Sequence, residues 1–506
     1  MKNKNVIYII SNLFFLISFS ITIFAQTGWI ENEKDYENIL KKNIQATFGT
    51  KLPLRVDLSK YVPSVINQHE SGVCVGMSTA YYMRTMLEAI SKNITDKDEI
   101  DKLAYSPSYL YNLIKNPKDV DCKEGTELKK AFDVLKTQGV VPYAQQKFPD
   151  CSNNPNLSVN PDSKIIEYVR LFSLADGSEN IDLITKKALS ENTPVVVGLS
   201  LTESINSLND NNNFWRNFWR KIMKFFGVSV FENIGLWNPE DSPNIGGHAV
   251  CIVGYDNAKF GGAFKIINSW GENFGEEGFF WVKYDDYKRQ VKNGFQAFLK
   301  VKKDKNEVVT AADVEFIFSA SGSRDMKFML DDVGSSDSSQ NNESIKTYLL
   351  LNPQPSGTTY RFSAFIDSTT DYTYFYILSG NSMMLDKTEK IYPFDEFESA
   401  ILSRNTRLIL PPEDRPHFQL TPPTGVEYVL FLFSEKPLDN MDNYLGKIRK
   451  NKGSFASRVT QAFGDELVSA SQINYKTNKM GFEAKGGKTG SIIPILVSFR
   501  HVPKRF

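Results

Sequence analysis

The spacing of hydrophobic residues changes along this chain and divides it near residue 303. In residues 51–303, helical and strand spacings alternate. Apolar residues recur at helical intervals in Ser78–Ile90, Glu127–Lys136 and Asp182–Ser190. Short apolar runs between turn residues predict strands at Val195–Leu199, Ala249–Tyr255, Ala263–Asn268 and Phe279–Tyr284. We therefore expect an α+β region here, preceded by an exposed lead-in (residues 26–50) with one short helix around Glu33–Lys42.

A different pattern follows the charged stretch Lys300–Glu307, which we interpret as a linker. Residues 304–506 predict short strands at Val314–Ser319, Ile345–Leu351, Thr359–Asp367, Tyr372–Leu378, Arg407–Leu410, Glu427–Ser434 and Ile492–Arg500. A Ser/Asn/Asp-rich loop, Val333–Ser344, and Pro-rich turns separate them, and one helix is predicted at Phe455–Gly464. This half is expected to be a mainly antiparallel, sandwich-like β domain.

The N-terminus has the features of an export signal. Lys2 and Lys4 precede the uncharged apolar run Val6–Ala25, and Ala25 is a suitable cleavage residue. Residues 1–25 are therefore predicted to be a signal peptide; the alternative is a membrane anchor, because the run is long enough to span a bilayer. The mature chain has no second long apolar run, so we expect it in the periplasm, at the cell surface or in the medium.

The charge balance bears on nucleic-acid binding, and the cysteines bear on disulfide formation. Lysine plus arginine and aspartate plus glutamate both number 59, and this balance argues against nucleic acid as a partner. Of the four cysteines, Cys122 and Cys151 lie in polar, loop-like sequence. An oxidising compartment would allow a disulfide between them, stabilising the chain by roughly 3–4 kcal/mol. Cys251 lies in an apolar run and is expected to be buried and inert.

Cys74 is the candidate nucleophile. It follows Gln68-His69-Glu70-Ser71-Gly72-Val73 and begins a predicted helix, whose positive end favours the thiolate. The side-chain amide of Gln68 and the backbone N–H of Cys74 could bind the oxyanion of a tetrahedral intermediate. His69 is so close in sequence to Cys74 that it is badly placed as a base.

His248 is the candidate base, because two glycines before it let the backbone approach a cleft closely. Asn268 ends the next predicted strand and could orient the imidazole, while Trp270 could shield that hydrogen bond from water. His417 and His501, in the second half, are expected to be structural or solvent-exposed. No metal-ligand cluster or phosphate loop occurs there, and no metal or organic cofactor is implied.

These motifs resemble those of the papain-like cysteine peptidases, the papain and cathepsin family. The matching pieces, spread over about residues 54–300, are Asn67-Gln68, Gly72-Val73-Cys74, Gly247-His248-Ala249-Val250, Asn268-Ser269-Trp270-Gly271 and Gly278-Phe279-Phe280. The resemblance implies a two-lobed α+β fold, with Cys74 on the central helix of one lobe and His248 and Asn268 on the β-rich lobe. It also implies hydrolysis of peptide bonds in protein or peptide substrates.

The chain departs from the family pattern in several places. Val73-Cys74-Val75 stands where the family usually has Ser-Cys-Trp, Ser71 replaces a frequent disulfide cysteine, and Phe274 replaces a frequent tryptophan. The lead-in is too short for the long inhibitory pro-segment of cathepsins. We therefore expect a peptidase that folds active or is kept latent by other means.

Two segments have open interpretations. The aromatic and basic stretch Phe214–Phe226 is either an amphipathic insertion packed on the protein, which we favour, or a helix that grips a membrane surface or a substrate. Residues 345–440 resemble a β-sandwich-type domain of bacterial secreted and surface proteins. That domain is expected to bind a surface or protein partner, or to act as a structural cap.

The sequence leaves three functions open. The first is a secreted cysteine peptidase. The second is a papain-like fold that no longer cleaves and serves binding or adhesion. The third is a cysteine amidase or transpeptidase acting on cell-wall peptides, which would use the same acyl-enzyme.

Overall fold

The computed structural model describes residues 27–42, 52–152, 157–174, 177, 180–209, 235–300, 309–319, 326–331, 345–367, 372–403, 406–412, 415–485 and 490–504. Three predicted features lie outside these residues: the signal peptide, the stretch Phe214–Phe226 and the loop Val333–Ser344. The predicted linker also lies outside them, except for Lys300.

The first half contains a helical lobe built around the helix that begins at Cys74. The helices of the first half are α1 (Glu33–Tyr36), α2 (Cys74–Gly76, Met77–Arg84 with π-helical bonding, and Thr85–Lys92, running on as one helix), α3 (Lys97–Leu103), α4 (Pro107–Ile114), α5 (Leu128–Thr137), α6 (Ile181–Ser190) and α7 (Tyr284–Gln290). Of these, α6 and α7 pack on strands of the sheet described next. Helix α5 shows why the periodicity was informative, since Leu128, Ala131, Phe132 and Leu135 are its buried residues. The predicted disulfide between Cys122 and Cys151 is present beside this lobe.

A mostly antiparallel sheet faces the helical lobe. Its strands are β1 (Arg55–Asp57), β2 (Glu167–Ser173), β3 (Val195–Thr202), β4 (Leu236–Trp237), β5 (Asn244–Asp256), β6 (Ala263–Ile267), β7 (Phe279–Lys283) and β8 (Val291–Phe298). They lie in the order β2-β8-β3-β5-β6-β7-β4, and β1 pairs with β5. The long strand β5 carries His248, and β6 ends one residue before Asn268. The sheet thus places His248 on one strand and Asn268 directly after the neighbouring strand.

Two further sheets make up most of the second half. Their strands are β9 (Val309–Phe318), β10 (Phe328–Asp331), β11 (Thr347–Pro355), β12 (Thr359–Ile366), β13 (Tyr372–Asn381), β14 (Glu389–Tyr392), β15 (Ile401–Ser403), β16 (Thr406–Leu410), β17 (Phe418–Gln419), β18 (Gly425–Ser434), β19 (Ile473–Tyr475), β20 (Gly481–Lys485) and β21 (Ile492–Val502). One sheet runs β10-β11-β21-β18-β13-β14 with β15 beside β13, and the other runs β16-β12-β9-β20-β19 with β17 beside β12. An aromatic core that includes Phe316, Phe362 and Phe431 lies between them.

Among the described residues of the second half, two α-helices pack on the sheets, whereas the sequence predicted one. Helix α9 (Phe455–Phe463) matches the prediction, and α8 (Met441–Lys450) was missed. Helix α8 buries only Leu445 and Ile448, so its apolar signal in the sequence is weak. Phe455 of α9 stacks on Tyr428 of β18, with ring centroids 4.9 Å apart.

The two halves share one continuous core. Buried side chains of the first half form a single cluster with Tyr374, Leu378, Ile401 and Leu430 of the second. At the contact, the ring of Phe298 at the end of β8 lies 6.0 Å from that of Tyr372 at the start of β13. The second half is therefore packed against the first through apolar surface.

The lead-in is part of this packing, so the prediction of an exposed segment is wrong. We call residues 27–42 the strap. Its side chains Trp29, Tyr36 and Ile39 are all less than a tenth exposed and belong to the same core. The predicted helix around Glu33–Lys42 is only the short α1, because the rest of the strap is held by contacts with other segments.

Candidate active site

Cys74 begins α2 and is fully buried. Burial raises the pKa of its thiol to about 12, although the backbone amides of Ala249, Gly28 and Val75 near the sulfur act in the opposite direction. The expected lowering of this pKa by the helix terminus is therefore wrong for the closed cleft, because desolvation outweighs the amide dipoles. The amide of Ala249 belongs to the residue after His248, so the sulfur lies beside the strand that carries the candidate base.

His248 and Asn268 are joined by a hydrogen bond. Nε2 of His248 lies 2.8 Å from Oδ1 of Asn268, and both side chains are buried. The centroid of the Trp270 indole ring lies 5.0 Å from that of the imidazole, so this side chain packs beside the candidate base. Burial lowers the pKa of His248 to about 4, and the bond to Asn268 only partly offsets this effect. In the closed cleft the imidazole is therefore neutral near pH 7.

The surroundings of Asn268 determine which imidazole nitrogen carries the proton. The backbone N–H of Ser269 donates to the same Oδ1 atom at 2.9 Å, which identifies that atom as the acceptor oxygen. Nε2 of His248 must then be the N–H donor. Nδ1 of His248 is buried without a hydrogen-bond partner, so its lone pair remains available as a base.

Gln68 is buried in a loop tied to the segment that carries Asn268. Its backbone N–H donates to the carbonyl of Ser269 at 2.7 Å, and the Ser269 hydroxyl donates to its Oε1 at 2.5 Å. Its Nε2 donates to the carbonyl of Ser71 at 2.8 Å. The side-chain amide is thus fixed from both ends, just upstream of Cys74.

The strap crosses the cleft between the two lobes at this point. The backbone N–H groups of Gly28 and Trp29 donate to the carbonyl of Gly247 at 3.1 and 3.2 Å. On the opposite side, the backbone N–H of Thr126 donates to the carbonyl of Gly28, and the carbonyl of Thr126 accepts from the N–H of Ile30, both at 2.9 Å. The strap therefore makes main-chain bonds to both walls and places Gly28 beside the sulfur of Cys74.

Small residues allow this close fit. A Cβ at position 28 would lie 2.3 Å from the carbonyl oxygen of Gly72, so only glycine fits there. The Trp29 indole lies against Gly198 in the same way. This arrangement was not predicted, because the segment was interpreted as exposed from its sequence.

The remaining candidates lie elsewhere. His69 is exposed in the loop before Cys74. Cys251 is buried and unpaired, and burial raises its pKa. His501 is buried between Ser356, 2.7 Å from its Nε2, and Glu427, 2.8 Å from its Nδ1, so it links strands of the second half. His417 is exposed and directly precedes β17.

Neither a metal-binding cluster nor a helix that could span a membrane is found among the described residues. Among them, no three His, Cys, Asp or Glu side chains are grouped so that they could hold a metal ion. Within the same ranges, none of the helices has the length and apolar character needed to span a bilayer.

Comparison with known proteins agrees with the sequence motifs. Residues 221–298 match the family model described as papain family cysteine protease. An uncharacterized peptidase C1-like protein of Acanthamoeba polyphaga mimivirus is 26% identical over 52% of this chain and 83% of its own length.

Solved structures of cysteine proteases are also similar. Xylellain from Xylella fastidiosa is 24% identical, with a TM-score of 0.39, over 55% of this chain and 97% of that one. The bromelain protease of Ananas comosus is 17% identical, with a TM-score of 0.34, over 49% of this chain and 100% of that one. The family match and the viral relative both support a papain-like cysteine peptidase, which in this chain is followed by a β-rich C-terminal region.

Proposed function

We propose that this chain is an exported cysteine peptidase that uses Cys74 as nucleophile and His248 as general base and acid. The observation that carries the proposal is the hydrogen bond from Nε2 of His248 to Oδ1 of Asn268. This bond leaves an unpaired Nδ1 on the strand whose Ala249 amide lies near the sulfur. Asn268 acts as the positioning residue for the imidazole, and Trp270 shields their bond.

The reaction would proceed through an acyl-enzyme. The Cys74 proton passes to Nδ1 of His248 while the sulfur attacks the peptide carbonyl carbon, and the oxyanion forms near the Cys74 N–H and the Gln68 amide. His248 then gives its proton to the leaving amine as the C–N bond breaks. Water, deprotonated by His248, attacks the thioester, releasing a carboxylic acid and restoring the thiol.

The closed cleft is a resting form in this proposal. With the strap seated, burial favours both the neutral thiol and the neutral imidazole. Displacing the strap admits water, which lowers the pKa of Cys74 and raises that of His248. Both changes favour the thiolate–imidazolium pair.

Export rests on the predicted signal peptide and on the disulfide between Cys122 and Cys151, because disulfides persist mainly in oxidising compartments. A cell-wall amidase or transpeptidase would use the same acyl-enzyme with a different substrate or acceptor.

The complete burial of Cys74 favours one rival, a papain-like module that binds without cleaving. Cleavage of a peptide library by the full chain, with Cys74 kept as the free thiol, distinguishes the two hypotheses. We would run wild type beside Trp29→Ala, which weakens the strap, and combine each with Cys74→Ala or His248→Ala.

We expect cleavage in Trp29→Ala, its loss with Cys74→Ala, and a decrease of about 10²–10⁴-fold with His248→Ala. A folded Trp29→Ala protein whose Cys74 reacts with an alkylating agent but which cleaves no peptide would overturn the peptidase proposal and support the binding module.

A further inference from the structure

The far end of the strap lies between the two halves of the molecule. On one side, Leu40 and Lys42 make main-chain bonds with Arg170 of β2, at 2.9 and 3.0 Å. On the other side, the N–H of Lys41 donates to the carbonyl of Phe397 at 2.7 Å, and the N–H of Ser399 donates to the carbonyl of Lys41 at 2.9 Å. Strand β2 is an edge of its sheet, so the strap extends that edge and joins it to the second half.

The ammonium group of Lys42 anchors this junction. Its side chain is 3% exposed and forms an ion pair with Glu191, N···O 2.5 Å, whose side chain is also 3% exposed. Nζ of Lys42 also donates to Oε1 of Gln296 at 2.8 Å and to Oγ of Ser403 at 3.2 Å. The Ser403 hydroxyl donates to Glu191 at 2.6 Å, which makes the second half a member of the cluster. Lys187 faces the same carboxylate at 3.5 Å.

This cluster couples the strap to the second half. If the strap left alone, Glu191 would lose Lys42, its nearer cation, and stay buried beneath Ser403 with Lys187 at 3.5 Å, and weakening the pairing of a buried charge in this way is unfavourable. If the segment 397–403 moved at the same time, water could reach Glu191, and the main-chain bonds of Lys41 would be released together. Departure of the strap is therefore easiest when this segment also moves.

We propose that residues 397–403 latch the strap, so that displacing this segment opens the cleft over Cys74. The strap transmits the effect because its two ends are held at different places, Gly28 at the sulfur and Lys42 at the latch, with Tyr36 and Ile39 buried between them. A ligand that binds the second half more tightly when this segment is displaced would activate the site. The regulatory meaning rests on the proposed function; the latch itself does not.

The test measures how fast Cys74 is alkylated by iodoacetamide in the full chain, read by peptide mass spectrometry. Cys251 is the internal reference, because it is fully buried and unpaired and reports global unfolding. The variants are Lys42→Met on the strap and Ser403→Ala on the second half. Lys34→Met, an exposed lysine of the strap, is the matched control.

We expect slow alkylation of Cys74 in wild type and in Lys34→Met. Lys42→Met should accelerate it on the order of 100-fold, since it removes one partner of a buried ion pair. Ser403→Ala should accelerate it roughly five- to tenfold, because it removes the hydrogen bonds of one hydroxyl group. The rate at Cys251 should not change in either variant.

Each alternative result has a definite meaning. Rapid alkylation of wild type, or equal acceleration at Cys74 and Cys251, would overturn the latch, since the strap would be unseated or the variant globally unfolded. Acceleration in Lys42→Met without any in Ser403→Ala would remove the second half from the mechanism. Faster alkylation without peptide cleavage would leave the latch standing and reject the peptidase function.

Discussion

The indole of Trp29 lies so close to Gly198 that a Cβ at position 198 would stand 2.5 Å from its Cζ2 atom. Gly198 lies in β3 opposite Ala249 of β5, the residue whose amide is near the sulfur of Cys74. The seat of the strap and the environment of the thiol are thus built from paired residues of the same two strands.

Gly198→Ala should therefore weaken the strap. The added methyl group must displace the indole, and overpacking of a close-fitted site typically costs about 1–3 kcal/mol. We expect Cys74 to be alkylated roughly tenfold faster, measured by mass spectrometry. Gly446→Ala is the control, because a Cβ there meets no atom within 4 Å. An unchanged rate in Gly198→Ala would show that the indole does not hold the strap.

The pH dependence of stability should carry a contribution from His248. Its pKa in the folded chain is about 4, below the ordinary 6.5, because burial disfavours the imidazolium. The unfolded chain therefore takes up the proton first, and stability is lost as the pH falls from about 6.5 through about 4. The contribution is about 3 kcal/mol as an order of magnitude. Urea unfolding of wild type and His248→Gln at pH 7 and pH 4.5 measures it.

The difference between the two proteins isolates this residue from the carboxylates, which both proteins share. Wild type should lose more stability than His248→Gln over this interval. Equal losses would mean that His248 is not desolvated in solution, and that the strap does not close the cleft.

Asn268→Ala should reduce turnover without abolishing it. The substitution removes the acceptor for Nε2 of His248, and a buried donor left without its partner costs about 1–3 kcal/mol. We expect kcat to fall about 10–100-fold with KM nearly unchanged, measured with a cleavable peptide in a strap-weakened background. A change confined to KM would indicate that Asn268 contacts substrate and does not position the imidazole.

Loss of the disulfide should destabilise the helical lobe without touching the site. Cys122 and Cys151 are 29 residues apart, and closing such a loop is worth roughly 3–4 kcal/mol in the chain-entropy model. The double variant Cys122→Ser, Cys151→Ser should show this loss in urea unfolding, whereas added reductant should then have no further effect. A reductant effect that persisted in the double variant would assign it to another thiol.

The sequence indicated the candidate site residues where chemistry and short-range pattern coincide. Cys74 at a helix start, His248 in a strand and Asn268 at the end of the next strand are each recognisable from their neighbours in the sequence, and the structure places Asn268 and Trp270 beside His248. The position of each of these residues in a helix or strand follows from the hydrophobic spacing of the residues around it.

The strap escaped prediction because its structure is made by distant partners. Gly28 bonds to Thr126 and Gly247, and Lys42 pairs with Glu191. Nothing near them in the sequence indicates these contacts. The error in the pKa of Cys74 has the same origin, since the desolvation that raises it includes cover by a segment that looked exposed.

The apolar core that runs without interruption from Phe298 into Tyr372, Leu378 and Leu430 limits how this protein can be divided. Cutting the chain between its halves would expose a broad apolar surface on each fragment, and such a surface promotes aggregation. The two halves are therefore better regarded as one folding unit than as independent domains. Attempts to graft either onto another protein would have to supply a substitute for the missing surface.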